Sequence, residues 1–492
     1  MRPLFCRSGN LNCQQQMALA LAWARTILAL VLLGVGSCNC SKICIVGSGI
    51  GGASAAHFLR KYSQEGMEIH VFERNSVVGG RMAMVELGGD KFEAGGSILH
   101  PKNLYTLQYT ELLGLQRSSG GDDTDFGIWD GQKFLLKTYP SSGMAISFLN
   151  DLLVFWRYGT SLFKMQKYVS SLLSKFLHYY DDSRPIFNSV EEMLKWADLY
   201  EYTTQSLQAE LVAAGLSSRL ISELITVIMR INYGQSVNIS GLAGAVSLCG
   251  SGSGLWSVEG GNWQMAAGLL DRANVSLHLN EEIASVSFNG KNYEISSSKG
   301  QVHNCEVAVL ATPLDEVNIS FIPEFSIPER HLQHTYTTFV RGQLNPVYFG
   351  QPSSFILPKL IGTLEVPSLP FSSISVLKDY SRDDKAYKIF SRKVMADDLL
   401  DKIFSVRKET IQIDWAAYPH YQAPERFASF LLDGHHLYYI NTFESAASTM
   451  EMSSVAAENV ARLILFRLHV DPLHRSRSGS SESSDDERFS EL

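Results

Sequence analysis

The chain has 492 residues, of which 45% are hydrophobic and 19% are charged, and its formal net charge is −8. This length and composition predict a globular protein with two interleaved domains, because one simple core does not extend over so long a chain. No basic stripe is visible along the sequence, so nucleic acid is not expected as a partner.

Residues 1–40 have the character of a polar extension followed by a signal peptide. A polar stretch, 1–16, precedes an apolar run that follows Arg25 and ends in small residues at Ser37 and Cys38. The run is shorter than the roughly 20 residues that cross a bilayer. We therefore expect a cleaved secretory signal here, with an uncleaved anchor as the alternative.

The sequons and cysteines also bear on the compartment. Four N-x-S sequons fit a secretory route weakly, at Asn39, Asn238, Asn274 and Asn318. Four of the seven cysteines lie within the first 40 residues. Of the others, Cys44 is expected to be an ordinary core residue, whereas Cys249 and Cys305 could pair in an oxidising compartment. No Cys/His spacing typical of zinc is present, so no metal is expected.

Residues 42–81 predict a dinucleotide-binding unit. A buried strand is followed by glycines in G-x-G-x-x-G spacing, then by a helix, then by a second strand that ends at Glu73. The first glycine allows the tight turn, the second lets a pyrophosphate approach the backbone, and the third lets helix and strand touch. These glycines are Gly47, Gly49 and Gly52. The helix N-terminus attracts the phosphates, and Glu73 is placed to accept from the ribose hydroxyls of an AMP moiety.

The residues after Glu73 bear on which dinucleotide is bound. They form an E-R-x(4)-G-G-R pattern, and a second glycine stretch follows in GGDKFEAGGSILHP, residues 88–101. The first pattern resembles flavoproteins of the amine-oxidase and glutathione-reductase superfamily, which implies FAD rather than NAD. The residues expected to contact FAD in these stretches are Gly79, Gly80, Arg81, Gly95, Gly96 and Ser97.

The middle of the chain predicts helices. Residues 145–180 are strongly apolar and aromatic, with apolar side chains at helical spacing. They are expected to form an ordinary helical core, although some could line an apolar tunnel or rest on a membrane surface. A capping box opens at Ser189 and predicts a helix that runs to about Ala214, and a further helix is expected over 219–231.

The later segments are interpreted through the superfamily resemblance, which implies that Ile283 pairs by its backbone with the adenine edge. The segment around Glu444 would then close the flavin site with a helix N-terminus. The expected fold is α/β, a Rossmann-like FAD-binding domain interleaved with a helical and sheet substrate domain. The FAD-binding parts are 41–140, 236–320 and 421–470, the substrate parts are 141–235 and 321–420, and a disordered acidic tail is 471–492.

Three narrower motifs, MRINYGQS, GLWSVEGGN and WAAYPHY, resemble the prenylcysteine oxidases, including the plant members called farnesylcysteine lyases. The resemblance runs from about Lys42 to Phe466. It implies an FAD-dependent thioether oxidase of a lysosome-like or vacuolar lumen, with possible peripheral membrane contact. The substrate would be S-prenyl cysteine left by degraded prenylated proteins.

The chemistry that the resemblance implies begins with hydride transfer from the prenyl carbon bonded to sulfur. Water then adds, and a hemithioacetal collapses to a prenyl aldehyde and cysteine. Dioxygen reoxidises the flavin and yields hydrogen peroxide. A farnesyl chain needs a long apolar pocket, which the helical segment 145–180 could wall.

Catalytic side chains are harder to assign, because hydride transfer to a flavin can be driven by positioning alone. His100 could lie near the flavin, and His420 could lie at the substrate mouth. Arg230 could hold the substrate carboxylate. Each has a structural alternative: a loop position for the two histidines, and pairing with a core acid for Arg230.

Two other functions remain open at this stage. One is another FAD oxidase or desaturase of the same fold, acting on an amine or a polyene. A polyamine enzyme would need acidic residues along its tunnel, and the aromatic helices favour a prenyl substrate instead. The other is a lumenal protein that binds flavin without turnover, since the glycines and Glu73 indicate cofactor binding only.

Overall fold

The computed structural model describes residues 41–63, 66–119, 125–140 and 143–470. The predictions of a signal peptide within 1–40 and of an acidic tail at 471–492 lie outside the described residues.

The α-helices of the described residues alternate with short 3₁₀ turns. They are α1 (Ile50–Tyr62), α2 (Leu104–Leu113), α3 (Met144–Tyr158), α4 (Ser161–Phe176), α5 (Val190–Trp196), α6 (Leu207–Ala213), α7 (Ser218–Leu220), α8 (Thr226–Tyr233), α9 (Gly241–Cys249), α10 (Trp263–Arg272), α11 (Asp397–Ile403) and α12 (Met450–Val470).

The strands fall into three larger sheets and two two-stranded sheets. They are β1 (Ser41–Val46), β2 (Met67–Glu73), β3 (Met84–Leu87), β4 (Asp90–Glu93), β5 (Arg117–Ser119), β6 (Phe126–Trp129), β7 (Phe134–Lys137), β8 (Trp256–Val258), β9 (Ser276–Leu279), β10 (Ile283–Phe288), β11 (Tyr293–Ser297), β12 (Val302–Cys305), β13 (Val307–Leu310), β14 (Ser320–Ile322), β15 (Leu332–Leu344), β16 (Leu360–Thr363), β17 (Ser373–Ser381), β18 (Asp384–Ser391), β19 (Phe404–Pro419) and β20 (Leu437–Tyr439). The two-stranded sheets are β3-β4 and β5-β8.

The first sheet is parallel, in the order β20-β13-β1-β2-β9. Its central strand β1 has no exposed residue over Ile43–Val46, because helices cover one face of the sheet and the four-stranded sheet β12-β11-β10-β14 covers the other. Helices α12 and α10 pack against α1. This is the predicted Rossmann-like unit, and it brings the carboxyl ends of β1, β2 and β13 to one edge.

The largest of the described sheets has seven strands, in the order β19-β15-β18-β17-β16-β6-β7. It is antiparallel except where β16 pairs with β6. The prediction placed residues 126–137 in the first FAD-binding part, whereas β6 and β7 form one edge of this seven-stranded sheet. Strand pairing between segments so far apart depends on tertiary packing, which local patterning does not encode.

The helical region also departs from prediction at one boundary. The N-cap at Ser189 is confirmed, since its hydroxyl accepts from the Glu192 N–H at 3.2 Å, while the Glu192 carboxylate accepts from the N–H of the preceding residue, Asn188, at 3.0 Å. However, α5 ends at Trp196 and a new helix begins at the Ser206 cap, so one continuous helix to Ala214 is wrong. The break lies at Asp198, whose φ of 56° is left-handed and cannot continue a helix.

Cys44 forms a disulfide with Cys305, with their Cα atoms 6.0 Å apart. The expectation that Cys44 is an ordinary core residue is therefore wrong, and so is the pairing of Cys249 with Cys305. Side chains alternate along β1, so Cys44 points away from the helices and toward the sheet that contains β12. Cys249 is a free thiol whose pKa is raised by burial to about 11.

Candidate FAD and substrate cleft

A cleft of about 1530 Å³ is lined by residues of the Rossmann-like sheet, the seven-stranded sheet and helices α8 and α9. This volume exceeds the roughly 300–1,000 Å³ of an ordinary small-ligand pocket. It leaves room for a dinucleotide together with a second molecule. The cleft begins at the carboxyl ends of the parallel strands, where ligands of open α/β sheets bind.

The β1–α1 loop forms the tight turn that its glycines predict. The Gly47 N–H donates to the Phe72 carbonyl at 2.8 Å, and a Cβ on Gly47 would lie 2.5 Å from the Ala311 oxygen. A Cβ on Gly52 would overlap the Gly47 carbonyl. At Gly49, by contrast, the nearest protein atoms to a Cβ are 3.9 Å away. Gly49 therefore presents open backbone toward the cleft, as a pyrophosphate requires.

Glu73 lies at the end of β2 and is 5% exposed. One carboxylate oxygen accepts from the N–H and hydroxyl of Ser48, at 3.2 and 2.6 Å. The other accepts from the backbone and side-chain nitrogens of Asn75, at 2.9 and 2.8 Å. Glu73 thus ties the glycine loop to the end of β2, besides lining the cleft at the position predicted for the ribose.

The predicted residues after Glu73 lie against the same loop. Gly79 pairs with Gly49 in an isolated bridge, and Gly80 has a left-handed φ of 56°. Arg81 donates to the Ala417 carbonyl at 2.8 Å and forms an ion pair with Glu444. Two residues that were predicted separately, Arg81 and Glu444, therefore hold each other across the cleft.

The other predicted cofactor residues also line the cleft. They are Gly95, Gly96, Ser97 and Ile283. A Cβ on Gly95 would overlap the Arg81 carbonyl, which accepts from the Gly96 N–H at 2.9 Å. Ile283 lies at the Glu73 end, because the Glu281 N–H donates to the Glu73 carbonyl at 2.8 Å.

The N-terminus of α12 also lines the cleft, through Ser448, Thr449 and Met450. The Thr449 hydroxyl accepts from the Met452 N–H at 3.0 Å and caps the first turn. A helix of 21 residues presents a positive dipole end here, which stabilises negative charge in the cleft.

The cleft fits a large polar ligand such as FAD. Four buried oxygens among the described residues that line it have no hydrogen-bond partner: Thr335 Oγ1, Thr337 Oγ1, Asn441 Oδ1 and Glu444 Oε2. Buried polar atoms of folded proteins are almost always hydrogen-bonded. Hydroxyl and N–H groups of a dinucleotide would supply the missing donors, and the open backbone at Gly49 would accommodate its phosphates.

The structure does not bring His100 into the cleft lining. It lies in the turn before α2, where its Nδ1 accepts from the Lys102 N–H at 3.0 Å and its N–H donates to Asn103 Oδ1. Burial, and then the charge of Lys102, lower the pKa of His100. These contacts match the loop role that was the alternative for this residue.

Arg230 and His420 also lie outside the lining, although their sequence neighbours are part of it. Arg230 is 3% exposed, and its guanidinium donates to Glu365 at 2.7 Å and to Thr363 at 3.0 Å. It therefore pairs with an acid inside the protein instead of facing a substrate carboxylate. His420 is exposed, and its N–H donates to the His331 carbonyl.

Sequence reasoning missed a cluster that we call the tyrosine wall, comprising Tyr233, Tyr418 and Tyr421. The Tyr233 ring lies edge-on to Tyr418 at 4.8 Å and to Tyr421 at 5.3 Å. The Tyr233 hydroxyl donates to the Ser448 carbonyl at 3.0 Å, and that of Tyr421 donates to the Glu444 carbonyl at 3.1 Å. The wall thus joins α8 and β19 to the flavin-closing segment. In the sequence, these tyrosines were marked only by their position in two of the narrow motifs, MRINYGQS and WAAYPHY.

A polar trio on the cleft lining was also missed. His334 Nδ1 lies 2.9 Å from Asp414, and its Nε2 lies 3.6 Å from Glu316. The hydrogen bond to Asp414 raises the pKa of His334. The three residues come from segments well separated in the chain, so spacing offered no signal for them.

Comparison with known proteins now bears on the family. A family model described as prenylcysteine lyase matches residues 142–474, and one described as an NAD(P)-binding Rossmann-like domain matches 45–109. The farnesylcysteine lyase of Arabidopsis thaliana is 56% identical over 449 residues, which cover 88% of this chain and 90% of that protein. The chain belongs to the prenylcysteine lyase family. Prenylcysteine oxidase 1 of Homo sapiens, a second relative, is 34% identical, with 87% and 89% covered.

Solved structures show the fold of this family member. Putrescine oxidase bound to putrescine matches with a TM-score of 0.58 at 14% identity, covering 87% of this chain and 99% of that one. Cyclohexylamine oxidase from Brevibacterium oxydans matches with a TM-score of 0.58 at 16% identity and the same coverage. The predicted amine-oxidase type of α/β fold is confirmed.

Proposed function

We propose that this chain is an FAD-dependent prenylcysteine oxidase. It cleaves S-farnesyl cysteine, or a related S-prenyl cysteine, with dioxygen and water to a prenyl aldehyde, cysteine and hydrogen peroxide. The observation that carries the proposal is the 56% identity to a farnesylcysteine lyase along nearly the whole described chain. The intact dinucleotide loop and the large cleft support the same function.

When bound, FAD supplies a two-electron acceptor for the hydride of the carbon next to sulfur, and dioxygen regenerates it. The chain's own residues orient the substrate and exclude bulk water. Gly47 to Gly52 and Glu73 would hold the AMP half. The second glycine stretch, the Arg81–Glu444 pair and the start of α12 would hold the flavin half. No side-chain base is required, because positioning drives the transfer.

The substrate end of the cleft lies at α8 and α9, not at the helices predicted to wall it. Ile231, Tyr233 and Val246 line this end, whereas no described residue of 145–180 belongs to the lining. Tyr233 contacts Tyr418 on the seven-stranded sheet. An apolar and aromatic wall of this kind suits a prenyl chain.

The charges of this end discriminate between a prenyl and an amine substrate. The cleft residues supplied by α8 and α9 carry no charge: Ile231, Asn232, Tyr233, Val246 and Ser247. A site for a polyamine would place carboxylates here to pair with ammonium groups. The uncharged lining supplied by α8 and α9 therefore favours a thioether substrate over an amine substrate.

The test is anaerobic reduction of the purified, full-length yellow protein. We expect S-farnesyl cysteine to bleach the flavin band with release of about one farnesal per flavin, and hydrogen peroxide to appear only once air is admitted. Putrescine should leave the band unchanged. Bleaching by putrescine alone would indicate an amine oxidase, and a flavin that neither compound reduces would indicate a binding protein.

A matched pair of variants separates substrate binding from flavin binding. Tyr233→Ala should raise the KM for S-farnesyl cysteine while the flavin content stays normal, because Tyr233 belongs to the substrate end. Val77→Ala serves as a control, since Val77 lines the opposite part of the cleft and is 68% exposed. Equal KM values in both variants would contradict the placement of the prenyl chain.

We further propose that the protein works in an oxidising lumen of the secretory pathway, in a lysosome or vacuole. The Cys44–Cys305 disulfide supports this, because such bonds persist mainly in oxidising compartments. The described sequon residues Asn238, Asn274 and Asn318 are all exposed. Glycosidase treatment of protein made in eukaryotic cells should lower its mass, and an unglycosylated cytosolic product would contradict the proposal.

Contact with a membrane surface is proposed from the exposed face of α3. Met144, Phe148, Leu152 and Trp156 recur at four-residue spacing, and Met144 and Trp156 are 92% and 84% exposed. Residues 144–176 carry four basic residues and one acid, although the whole chain has a net charge of −8. None of the helices in the described ranges is long and apolar enough to cross a bilayer. An apolar face with basic residues nearby is typical of peripheral binding to anionic lipids.

Vesicle sedimentation tests this contact. The wild type should pellet with vesicles of phosphatidylcholine and phosphatidylserine, and the double change Phe148→Ser with Trp156→Ser should abolish pelleting. Val394→Ser is the control, because Val394 is similarly exposed but lies outside α3. Equal pelleting of all three proteins would contradict the assignment of this face.

A further inference from the structure

A cluster of histidines and glutamates lies at the edge of the Rossmann-like sheet, away from the tyrosine wall. His278 belongs to β9, Glu281 follows it in the next turn, and His303 belongs to β12. Glu281 is buried, whereas the side chains of His278 and His303 are 27% and 16% exposed. The cluster is therefore held by the protein but remains open to solvent and small ions.

The three side chains converge on one point. Oε1 of Glu281 lies 2.9 Å from Nε2 of His303, and Oε2 of Glu281 lies 3.6 Å from Nδ1 of His278. One ligand atom from each residue lies within 4.8 Å of the others. A tetrahedral zinc ion with bonds of 2.0–2.1 Å holds neighbouring ligand atoms about 3.3 Å apart. The upper limit of 4.8 Å exceeds this spacing by about 1.5 Å, which small movements of two side chains would close.

The hydrogen bonds behind His278 determine which of its nitrogens carries a proton. His70 donates from Nε2 to the Glu68 carboxylate at 2.5 Å, so its Nδ1 is an acceptor. That Nδ1 lies 2.9 Å from Nε2 of His278, which must therefore be the donor. The lone pair of His278 is then on Nδ1, where it faces a carboxylate oxygen with no proton between them. A cation placed between these two acceptors would satisfy both of them.

The surroundings resemble those of protein metal sites. A histidine ligand usually donates its other N–H to an acceptor, as His278 does to His70. The side-chain amide of Gln301, oriented so that both of its ends are satisfied, donates to the two oxygens of Glu281 at 2.9 and 3.2 Å.

We propose that Nδ1 of His278, Nε2 of His303 and the Glu281 carboxylate bind one zinc-class divalent cation, with water at the exposed position. Two imidazoles and a carboxylate form a ligand set that zinc favours. The ion would join β9 to β12. It would also lie near the AMP end of the cleft, because the Glu281 N–H donates to the Glu73 carbonyl. The spacing of these residues in the sequence does not indicate the site, because His278 and His303 are separated by the β10–β11 hairpin.

The test is calorimetric titration of Zn²⁺ alone into chelator-treated, flavin-loaded protein. We expect one tight equivalent in the wild type and an affinity about 10–100-fold weaker or lost in His303→Gln. His178→Gln is the matched control, because His178 lies 3.1 Å from Asp181 in an exposed pair. Binding that is absent in the wild type, or equal in all three proteins, would overturn the proposal.

Two further measurements keep the proposal testable if a variant fails to fold. Glu281→Gln preserves the size of the side chain and should abolish the rise in melting temperature that Zn²⁺ causes in the wild type. In the wild type alone, Zn²⁺ should protect His278 and His303 from diethylpyrocarbonate, as read by peptide mass spectrometry. Unchanged modification of both histidines at saturating Zn²⁺ would refute the site.

Discussion

The dinucleotide loop and the tyrosine wall contribute to the two ends of one cleft, but they are formed in different ways. The loop and Glu73 come from one continuous stretch, and their contacts are between backbone atoms or near neighbours in the chain. In the tyrosine wall, Tyr233 packs against Tyr418 and its hydroxyl donates to the carbonyl of Ser448, and these three residues come from distant segments. A local unit has a recognisable sequence pattern because the spacing of its residues along the chain determines their arrangement in space. An assembled wall has none, because tertiary packing sets its geometry.

The largest effect is expected at the loop, where glycines with different surroundings can be compared. Gly52→Ala should prevent formation of the flavin-binding unit, at a cost of about 3 kcal/mol or more, because its Cβ overlaps the Gly47 carbonyl. Gly49→Ala should fold normally and lose only flavin, because its Cβ comes no closer than 3.9 Å to other protein atoms. The melting temperature and the ratio of flavin to protein absorbance distinguish them. Equal stability of the two variants would contradict the different roles of these glycines.

The next largest effect is expected at Arg230, which lies on the same helix, α8, as Tyr233 of the tyrosine wall. Arg230→Met should lower the free energy of unfolding by about 3 kcal/mol, because Glu365, Thr363 and Phe371 lose a buried donor. Glu365 retains Arg392, which limits the loss. Urea unfolding measures the change. If Arg230→Met instead raised KM strongly at unchanged stability, the substrate-carboxylate role would be restored.

A pH effect is expected from Glu425, which follows Tyr421 of the wall. Burial raises the pKa of Glu425 to about 7, so the folded protein binds a proton that the unfolded chain releases near pH 4.5. The resulting stabilisation is present at acidic pH and is lost as the pH rises from 4.5 through about 7. It amounts to about 2 kcal/mol between about pH 5 and 7.5.

Glu425→Gln tests this sign, because glutamine mimics the protonated acid. The variant should be more stable than the wild type at neutral pH and similar at acidic pH, as measured by melting temperature at both values. A wild type that gains stability from acidic to neutral pH relative to Glu425→Gln would refute the assignment.

The smallest effect is expected at His100 and His420, the two histidines that the sequence analysis named as candidate catalytic residues. His420→Ala and His100→Ala should change kcat/KM by no more than about twofold, because neither side chain lines the cleft. Tyr418→Ala, two positions before His420, should reduce activity clearly because Tyr418 does line it. Steady-state assays with S-farnesyl cysteine decide the comparison. A large loss in His420→Ala would place the substrate mouth beyond β19.

The sequence by itself determined the strand, the glycine turn, the helix and Glu73, as well as the family. In each case the informative residues are close in the chain, or their motif is narrow enough to stand alone. The N-cap at Ser189 is a further example, because its hydrogen bond spans three residues.

Tertiary structure alone decided the partner of Cys305, the sheet that β6 and β7 join, and which motif residues face the cleft. Arg230 and Tyr233 are near neighbours on α8, yet one points to Glu365 and the other to the cleft. The two positions are three residues apart on a helix, so their directions differ by only about 60°, and the sequence does not distinguish their surroundings. Residue type indicates which chemistry is available, but only the packing of distant segments selects the side chains that reach the substrate.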